Sequence, residues 1–593
     1  MIDPRIYRAA LVPVVFALVL LAFSLENRPQ PLRTALAPDA FQGDRAFERA
    51  YEAREGLSDR YAQRRPGSAA DDALAAEIAG QMREEGFRVR TVEHEADTID
   101  GRRTLRTVIA QRAGTIDERI VVVAHRDAAG ARAEAELSGT AALLELTRIF
   151  GAPRQTRRTL TLVSTSGGSG RAGGAARLAR ELDGPVGAVL VLGDLASRNV
   201  RAPLVTPWSN ALGATPQQVR ATVQEAVRVE TGSGAGAPRA LAQFARFAMP
   251  VTYGEQGALL AGGLPAVLLS IGGDRPPSPN APISRERLEA FGRAALRTIT
   301  VLDTAPAARP IADAASTRDL LTRRKILPGW AVRLFTGALL LTVLLTAVDA
   351  LAALLRRREP IAPWVRWTLA GALPFALAAL FAIGLDATGL IVAPPAPVAP
   401  QALPASPAAL AAVALAFALG WAWLRPAALR LLRAAGSDPA QPGAGIAVVL
   451  VATAAAVVIW VANPYAAALL IPALHVWLFA LAPDLRMPRA ARLAAVAVAA
   501  VPVAVLAIAL ARSLGLGVVD AVWELVLLTA GGHVSVASVL LWSVVAGCAV
   551  SALLVAARGG APARHDEIPI TVRGPRTYAG PGSLGGTESA LRR

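Results

Sequence analysis

The sequence predicts an α/β domain, a mixed and mainly parallel sheet between helices, joined to an α-helical domain of several membrane spans. Three observations predict this. Between about residues 45 and 303, helical and strand patterns alternate over short connections, as in a parallel-type sheet covered on both faces. After about residue 330, apolar runs near 20 residues long recur, each enough to cross a bilayer. The composition agrees, at 53% hydrophobic with a mean hydropathy of +0.42.

Taken in order, Arg5 and Arg8 precede an apolar stretch over 9–25. This resembles a signal peptide, but SLENRPQPLR follows without a small-x-small cleavage site. Residues 1–26 therefore read as a cytoplasmic N-terminus and signal-anchor helix, which puts residues 27–303 outside the cytoplasm. Within that exported part, helical patterns cover 69–85, 140–150, 175–182, 216–229 and 284–302. Strand patterns cover 88–93 (a candidate edge), 106–111, 119–125, 159–164, 188–192 and 266–271. The segment DTAPAARPIADAAS has linker composition, so 304–328 reads as a linker.

Spans are expected at 332–355, 367–392, 408–424, 443–462, 465–482, 493–511 and 534–556, a membrane domain of about seven helices over 329–556. Residues 513–531 are apolar but interrupted by Asp520 and Glu524, which suits an amphipathic or re-entrant segment on the outer face better than a further span. Residues 557–593 read as a disordered cytoplasmic tail. Alternate connections carry the arginines: 356, 357 and 358, then 425, 430 and 433, then 486, 489 and 492. The connections between them are PPAPVAPQALPASP, the turn at Asn463-Pro464 and a loop beginning at Arg512. This asymmetry is the positive-inside rule, with the basic run from Arg318 to Lys325 as its one dissent. It assigns the net charge of +16 to topology, so no nucleic-acid partner is expected. The partner expected from composition is the lipid bilayer, in an integral plasma-membrane protein of a bacterium. The single cysteine, Cys548, lies inside an apolar span, so no intramolecular disulfide can form.

The chemistry-bearing residues sit at strand ends, where sheets of this type place their sites. VVVAHRD ends a strand in an H-x-D pair, His125 and Asp127, and a glycine-containing turn leads to an apolar helix from Ser138. RRPGS at 64–68 and EEGFRV at 84–89 bracket the first helix. SGTAALLEL, VLGDLAS with Asp194, and GEQGALLAGGLPAVLLS at 254–270 follow in order. Together these landmarks, over about 240 residues, resemble the co-catalytic zinc aminopeptidase and glutamate carboxypeptidase family. The layout of anchor, peptidase-like domain and multi-span bundle is similar to the endoplasmic-reticulum metallopeptidases and the peptidase-like subunit of the GPI transamidase.

The resemblance implies a zinc-aminopeptidase-like fold and a two-zinc site. In it, His125 and Asp194 stand at ligand positions and Asp127 at the position that orients the histidine. The sequence departs from the family elsewhere. The metal-bridging aspartate position holds Ala135, flanked by Glu134 and Glu136 as substitutes. The Glu-Glu pair that supplies the general base and a ligand is replaced near Gly168 and Ser169, in STSGGSGRAGG. GGDRPPSPNAPIS lacks the last histidine, and Glu255-Gln256 stand where Asp-His is expected. The chain has five histidines, 94, 125, 475, 533 and 565, and a second ligating one is hard to find among them. His94 reads as solvated. The expectation is a pseudo-peptidase without metal or cofactor, binding an envelope protein or peptide; the alternative is an active zinc metallopeptidase with altered ligands.

Other readings of the same residues stay open. Gly168, Gly170 and Gly173 spell G-x-G-x-x-G between a strand and a helix, the context of a dinucleotide-binding turn, with Asp194 closing the next strand. The plainer reading is a tight strand–helix turn. Ser164, Ser166 and Ser169 offer hydroxyls, but G-x-S-x-G is not spelled. Asp349, Asp386 and His475 are polar groups at or near membrane depth, each able to pair locally or across helices.

Protease added outside intact cells is expected to release a domain of about 300 residues, residues 27–328, and to leave a tag on the tail after Arg558 protected. Protection of that domain would reverse the orientation of every span, since all rest on the same distribution of arginines.

Overall fold

The computed structural model describes residues 3–558 except 38, 53–55, 152–154, 171, 237–239, 307–309, 323, 435–440, 483 and 486. Most of the expected tail therefore lies outside the described residues. The N-terminal part is built on a seven-stranded sheet. From edge to edge its strands are Arg88–Thr98, Gly101–Arg112, Arg158–Thr165, Ile116–His125, Val186–Leu192, Ala266–Leu269 and Val205–Thr206. The four from Arg158–Thr165 to Ala266–Leu269 are mutually parallel, and antiparallel pairs flank them. The sheet is thus mixed, with a parallel centre.

Alternation along the central strands gives the sheet two buried faces. Ile120, Val122 and Ala124 pack with Leu74, Leu143 and Phe291 from helices Ala69–Glu84, Glu134–Gly151 and Arg285–Thr304. Val121 and Val123 pack on the other side against Leu178 and Leu259, from Gly173–Glu181 and Glu255–Ala261. Ser68 caps the first of these helices by accepting from the Asp71 amide at 3.2 Å, and Ser284 caps Arg285–Thr304 in the same way.

Several elements differ from the sequence reading. The edge hairpin is longer than 88–93 and 106–111, because all eleven partners from Arg88↔Gln111 to Thr98↔Gly101 pair. His94 on it is half-buried with both ring nitrogens shielded from solvent, so the expected solvation is not found. The helix expected from Thr140, with its apolar run starting at Ser138, begins at Glu134. Helices Ala240–Ala248 and Glu255–Ala261 add to the helices expected from the sequence. The segment 304–328 is not a free linker. Ile311 is buried in the core and its amide donates to Glu118 at 2.9 Å, while Leu320–Leu321 and Lys325–Leu327 form a small sheet with Glu26–Asn27. Strands of two or three residues carry no periodicity, so pattern could not reveal them.

Among the described residues, seven helices are long and apolar enough to cross a membrane: 4–23, 329–356, 362–387, 407–431, 443–462, 489–514 and 536–558. The span expected at 465–482 is instead a shorter apolar stretch, 464–480, broken into Pro464–Ala468 and Ile471–Ala480. At 1.5 Å per residue it is about 25 Å long, short of a hydrocarbon core of about 30 Å. The apolar segment after residue 513 contains a 13-residue helix, Val518–Ala530. The N-terminal helix packs into the bundle: Thr342 donates to the Ala10 carbonyl at 2.8 Å, and Tyr7 hydrogen-bonds His475 at 2.9 Å. Asp386 pairs locally, accepting from the Ala393 amide at 2.7 Å.

The sheet domain docks on one end of the bundle. Arg275 donates to the carbonyls of Arg512 and Ser513, Asn463 donates to the Phe247 carbonyl at 2.8 Å, and His533 bonds the Pro250 carbonyl at 3.1 Å. Tyr465 stacks on Phe247 at 4.9 Å between ring centres.

Gly139 seats its helix against the end of the strand Val186–Leu192, where an added Cβ would fall 2.6 Å from the Leu192 carbonyl oxygen. Gly139→Ala is expected to destabilise by about 1–3 kcal/mol, measured as a lower Tm of the full-length protein in detergent. An unchanged Tm would show that the helix does not sit this close.

Candidate functional site

Register brings the carboxyl ends of adjacent parallel strands into one row. His125 lies beside Thr165, and Ala124 beside Leu192, after which Gly193 and Asp194 follow. The first turn of Glu134–Gly151 adds Glu136, and the start of Glu255–Ala261 adds Glu255. His125, Glu136, Gly168, Ser169, Asp194 and Glu255 line one cavity of about 70 Å³, room for roughly a handful of waters. Tyr253, Asp274 and Arg275 stand around it, and Pro397, Val398 and Ala399 close it from the bundle side. Those three come from the proline-rich connection PPAPVAPQALPASP.

The floor is held by Arg64, the first arginine of RRPGS. It is fully buried and donates to three carbonyls, Arg126 at 2.9 Å, Arg132 at 2.6 Å and Ala133 at 2.8 Å. Burial lowers its pKa, with Glu136 the first charge opposing that shift. Arg126, between the two residues of the H-x-D pair, forms a buried ion pair with Asp71 at 2.8 Å. Arg126 ties the segment after His125 to helix Ala69–Glu84, and Arg64 ties it to the chain just before that helix.

Asp127 lies in this segment but faces the glycine loop. Its carboxylate accepts from the amides of Gly168 at 2.9 Å and Ser169 at 3.0 Å, and from the Ser169 hydroxyl. These are the amides a phosphate would require, so the dinucleotide reading gains no support from the loop. Gly168 packs so tightly that a Cβ there would fall 2.3 Å from His125 Cβ. The Ser166 hydroxyl donates to Asp71 at 2.6 Å, so neither this serine nor Ser169 pairs with a histidine.

Of the two expected substitutes for the bridging carboxylate, Glu136 lines the cavity and Glu134 does not. The Glu134 carbonyl accepts from Tyr51 at 2.8 Å. Ala135 is buried between them, and its carbonyl accepts from Ser138, whose oxygen accepts in turn from the Leu195 amide at 2.8 Å. Asp194 caps its own turn, accepting from Ala196 at 3.0 Å and Ser197 at 2.9 Å. Among the described residues, no group of three or more His, Cys, Asp or Glu is spaced to hold a metal ion.

Electrostatically the cavity is a set of carboxyl groups with few donors. Burial pushes Glu136 up to about 8, against the pull of Arg64, and pushes Glu255 up to about 8, against the hydrogen bond from Thr165 at 2.6 Å. One oxygen of each is buried without a hydrogen-bond partner. Burial also raises Asp194 and lowers His125. Near neutral pH the cavity therefore holds protonated glutamates and an uncharged imidazole. In the sequence Glu255 stands out only as a departure from Asp-His, and Arg64 only as part of RRPGS. Neither carries a signal that separates a cavity residue from a structural one.

No protein-family model matches the sequence, and no curated protein matches it. Among solved structures, the chain is similar to a glutaminyl cyclase of Porphyromonas gingivalis, at 16% identity and a TM-score of 0.32, over 44% of this chain and 99% of that one. It is similar to BSAP, a zinc aminopeptidase from Bacillus subtilis, at 10% identity and a TM-score of 0.36, over 46% and 98%. It is also similar to a Zn-dependent exopeptidase from Parabacteroides distasonis, at 17% identity and a TM-score of 0.32, over 44% and 99%.

Glu136 and Glu255 bind their protons more tightly in the folded protein than at the ordinary 4.5 of the unfolded chain. Their contribution to stability is full below about pH 4.5 and is lost as pH rises through about 8. The Tm of the full-length protein is expected to fall across this window, and Glu255→Gln to flatten the fall. A wild-type-minus-variant difference that stays constant with pH would contradict the buried, uncharged state of Glu255.

Proposed function

We propose that the protein is a membrane-anchored pseudo-peptidase of the bacterial envelope. In this reading its exported domain binds a protein or peptide partner and does not hydrolyse it. The observation that carries this is the Gly168–Ser169 turn. In the family the sequence resembles, that place supplies the general base and a metal ligand. Here its amides bind the Asp127 carboxylate, and a side chain at 168 would collide with His125.

A two-zinc centre needs about five imidazole or carboxylate ligands and a base for the shared water. His125 and Asp194 supply two; of the other carboxyls at the cavity, Glu136 and Glu255 are buried and hold their protons, and Asp274 is paired with Arg246. Asp194 already caps a turn, and Asp127 is committed to the glycine loop. The residues present do not fit the two-metal group, and no hydrolytic step is derived through it.

The orientation rests on charge. The bundle end that carries the docked domain presents the turn at Asn463 and the loops around 397 and 533. The arginine groups at 356–358, 425–433 and 489–492 fall in the alternate connections, so the positive-inside rule puts the domain outside.

Metal analysis of the full-length protein purified in detergent is expected to find less than one zinc per chain and no chelator-sensitive cleavage of aminoacyl or peptide substrates. Stoichiometric zinc, with hydrolysis abolished by His125→Ala or Asp194→Ala, would establish the working metallopeptidase instead. Glu136 would then be the ligand to change next.

A further inference from the structure

At the arginine-rich end of the bundle, the long helix over 407–431 is interrupted by a π-helical turn, Gly420–Leu424, which leads into Arg425–Leu431. Such turns insert a residue and recur at functional sites. This one sets Arg425 between two indoles. Its guanidinium carbon lies 4.8 Å from the ring centre of Trp421 and 5.6 Å from that of Trp367, on the neighbouring helix. Aromatic faces hold a cation without neutralising it. Among the described residues no carboxylate pairs with Arg425, and its Nε is buried without a hydrogen-bond partner. The charged group within electrostatic reach is a second cation, Arg558, the last residue of helix Val536–Arg558. Arg366 lies on the same rim, donating to the Leu432 carbonyl at 3.1 Å.

Two guanidiniums within electrostatic reach of each other repel, and an anion taken between them relieves that repulsion. The planar donor fork of arginine matches phosphate oxygens two at a time. The surroundings favour a lipid as the source of that phosphate. Trp423 is 72% exposed and Leu431 84%, an apolar surface beside the basic one at the end of a membrane-length helix. Basic pockets between membrane helices on the arginine-rich side are suited to phosphate-bearing headgroups.

We propose that Arg425 and Arg558, walled by Trp367 and Trp421, form a binding site for the phosphate headgroup of one anionic phospholipid. The phosphate bridges the two guanidiniums and the acyl chains run along the exposed face of the helix. This site is at the opposite end of the bundle from the cavity around His125 and does not depend on the reading given for that cavity.

Native mass spectrometry of the full-length protein, released from nanodiscs of equal parts phosphatidylcholine and phosphatidylglycerol, tests the site. Wild type is expected to retain one phosphatidylglycerol and no phosphatidylcholine. Arg425→Gln and Arg558→Gln should each lower that retention roughly fivefold. Arg489→Gln, an exposed arginine on another helix, should leave it unchanged. Retention by Arg425→Gln equal to wild type, equal loss in Arg489→Gln, or equal retention of phosphatidylcholine would each overturn the proposal. Displacement of the lipid by soluble glycerol phosphate, added at the lipid's own concentration, would show a site for free phosphate esters and would overturn the lipid assignment. Should Arg425→Gln fail to fold, Arg558→Gln at the helix end carries the test, and unchanged retention there overturns the proposal equally.

Discussion

The buried guanidinium of Arg64 fixes the geometry on which the cavity depends. Three carbonyls of the segment after His125 converge on it, and each such charge-assisted bond contributes about 1.5–3 kcal/mol. Two of them belong to Arg132 and Ala133, which take positive φ values of 59° and 32° and deliver the chain into the helix at Glu134. That early start turns Glu136 toward His125 and Asp194. Without the cation, the carbonyls would be left dehydrated and unpaired, and the strained pair before the helix would have nothing to hold it.

The second constraint is the commitment of Asp127. Two amides and a hydroxyl of the Gly168–Ser169 turn occupy its carboxylate, and the turn closes over His125 with no space for a side chain at 168. The cavity contains buried carboxyls that the nearby cations, Arg64 among them, do not fully offset. Glu136 and Glu255 hold their protons because dehydration disfavours the charged form more than Arg64 and Thr165 favour it.

The bundle contributes more than anchorage. Pro397, Val398 and Ala399 form part of the cavity wall, so the site is completed by residues roughly 130 positions beyond the last strand of the seven-stranded sheet, Ala266–Leu269. Around this contact, apolar clusters run continuously from one part to the other. Trp208 and Phe247 pack with Val332 and Tyr465, and Ala245 and Val251 with Leu510 and Leu528. The small sheet that joins Glu26–Asn27 to Lys325–Leu327 ties the exit of the first helix to the entrance of the next, so the domain is held at both ends of its chain.

The sequence alone determined the α/β character, the central strands and most of the long apolar helices. It did so because buried parallel strands and membrane-length helices both write their environment into local composition and period. It also placed His125 and Asp194 at strand ends. Tertiary structure decided what those ends face. That Asp127 binds a glycine turn, that Glu255 joins the cavity and that Arg64 underlies it depend on hydrogen bonds between residues from about 40 to 90 positions apart, which no local pattern records. The same reason hid the short strands near 26 and 326 and the break in the helix over 464–480. Each follows from what the neighbouring chain offers in space, and a sequence read along its length has no access to that.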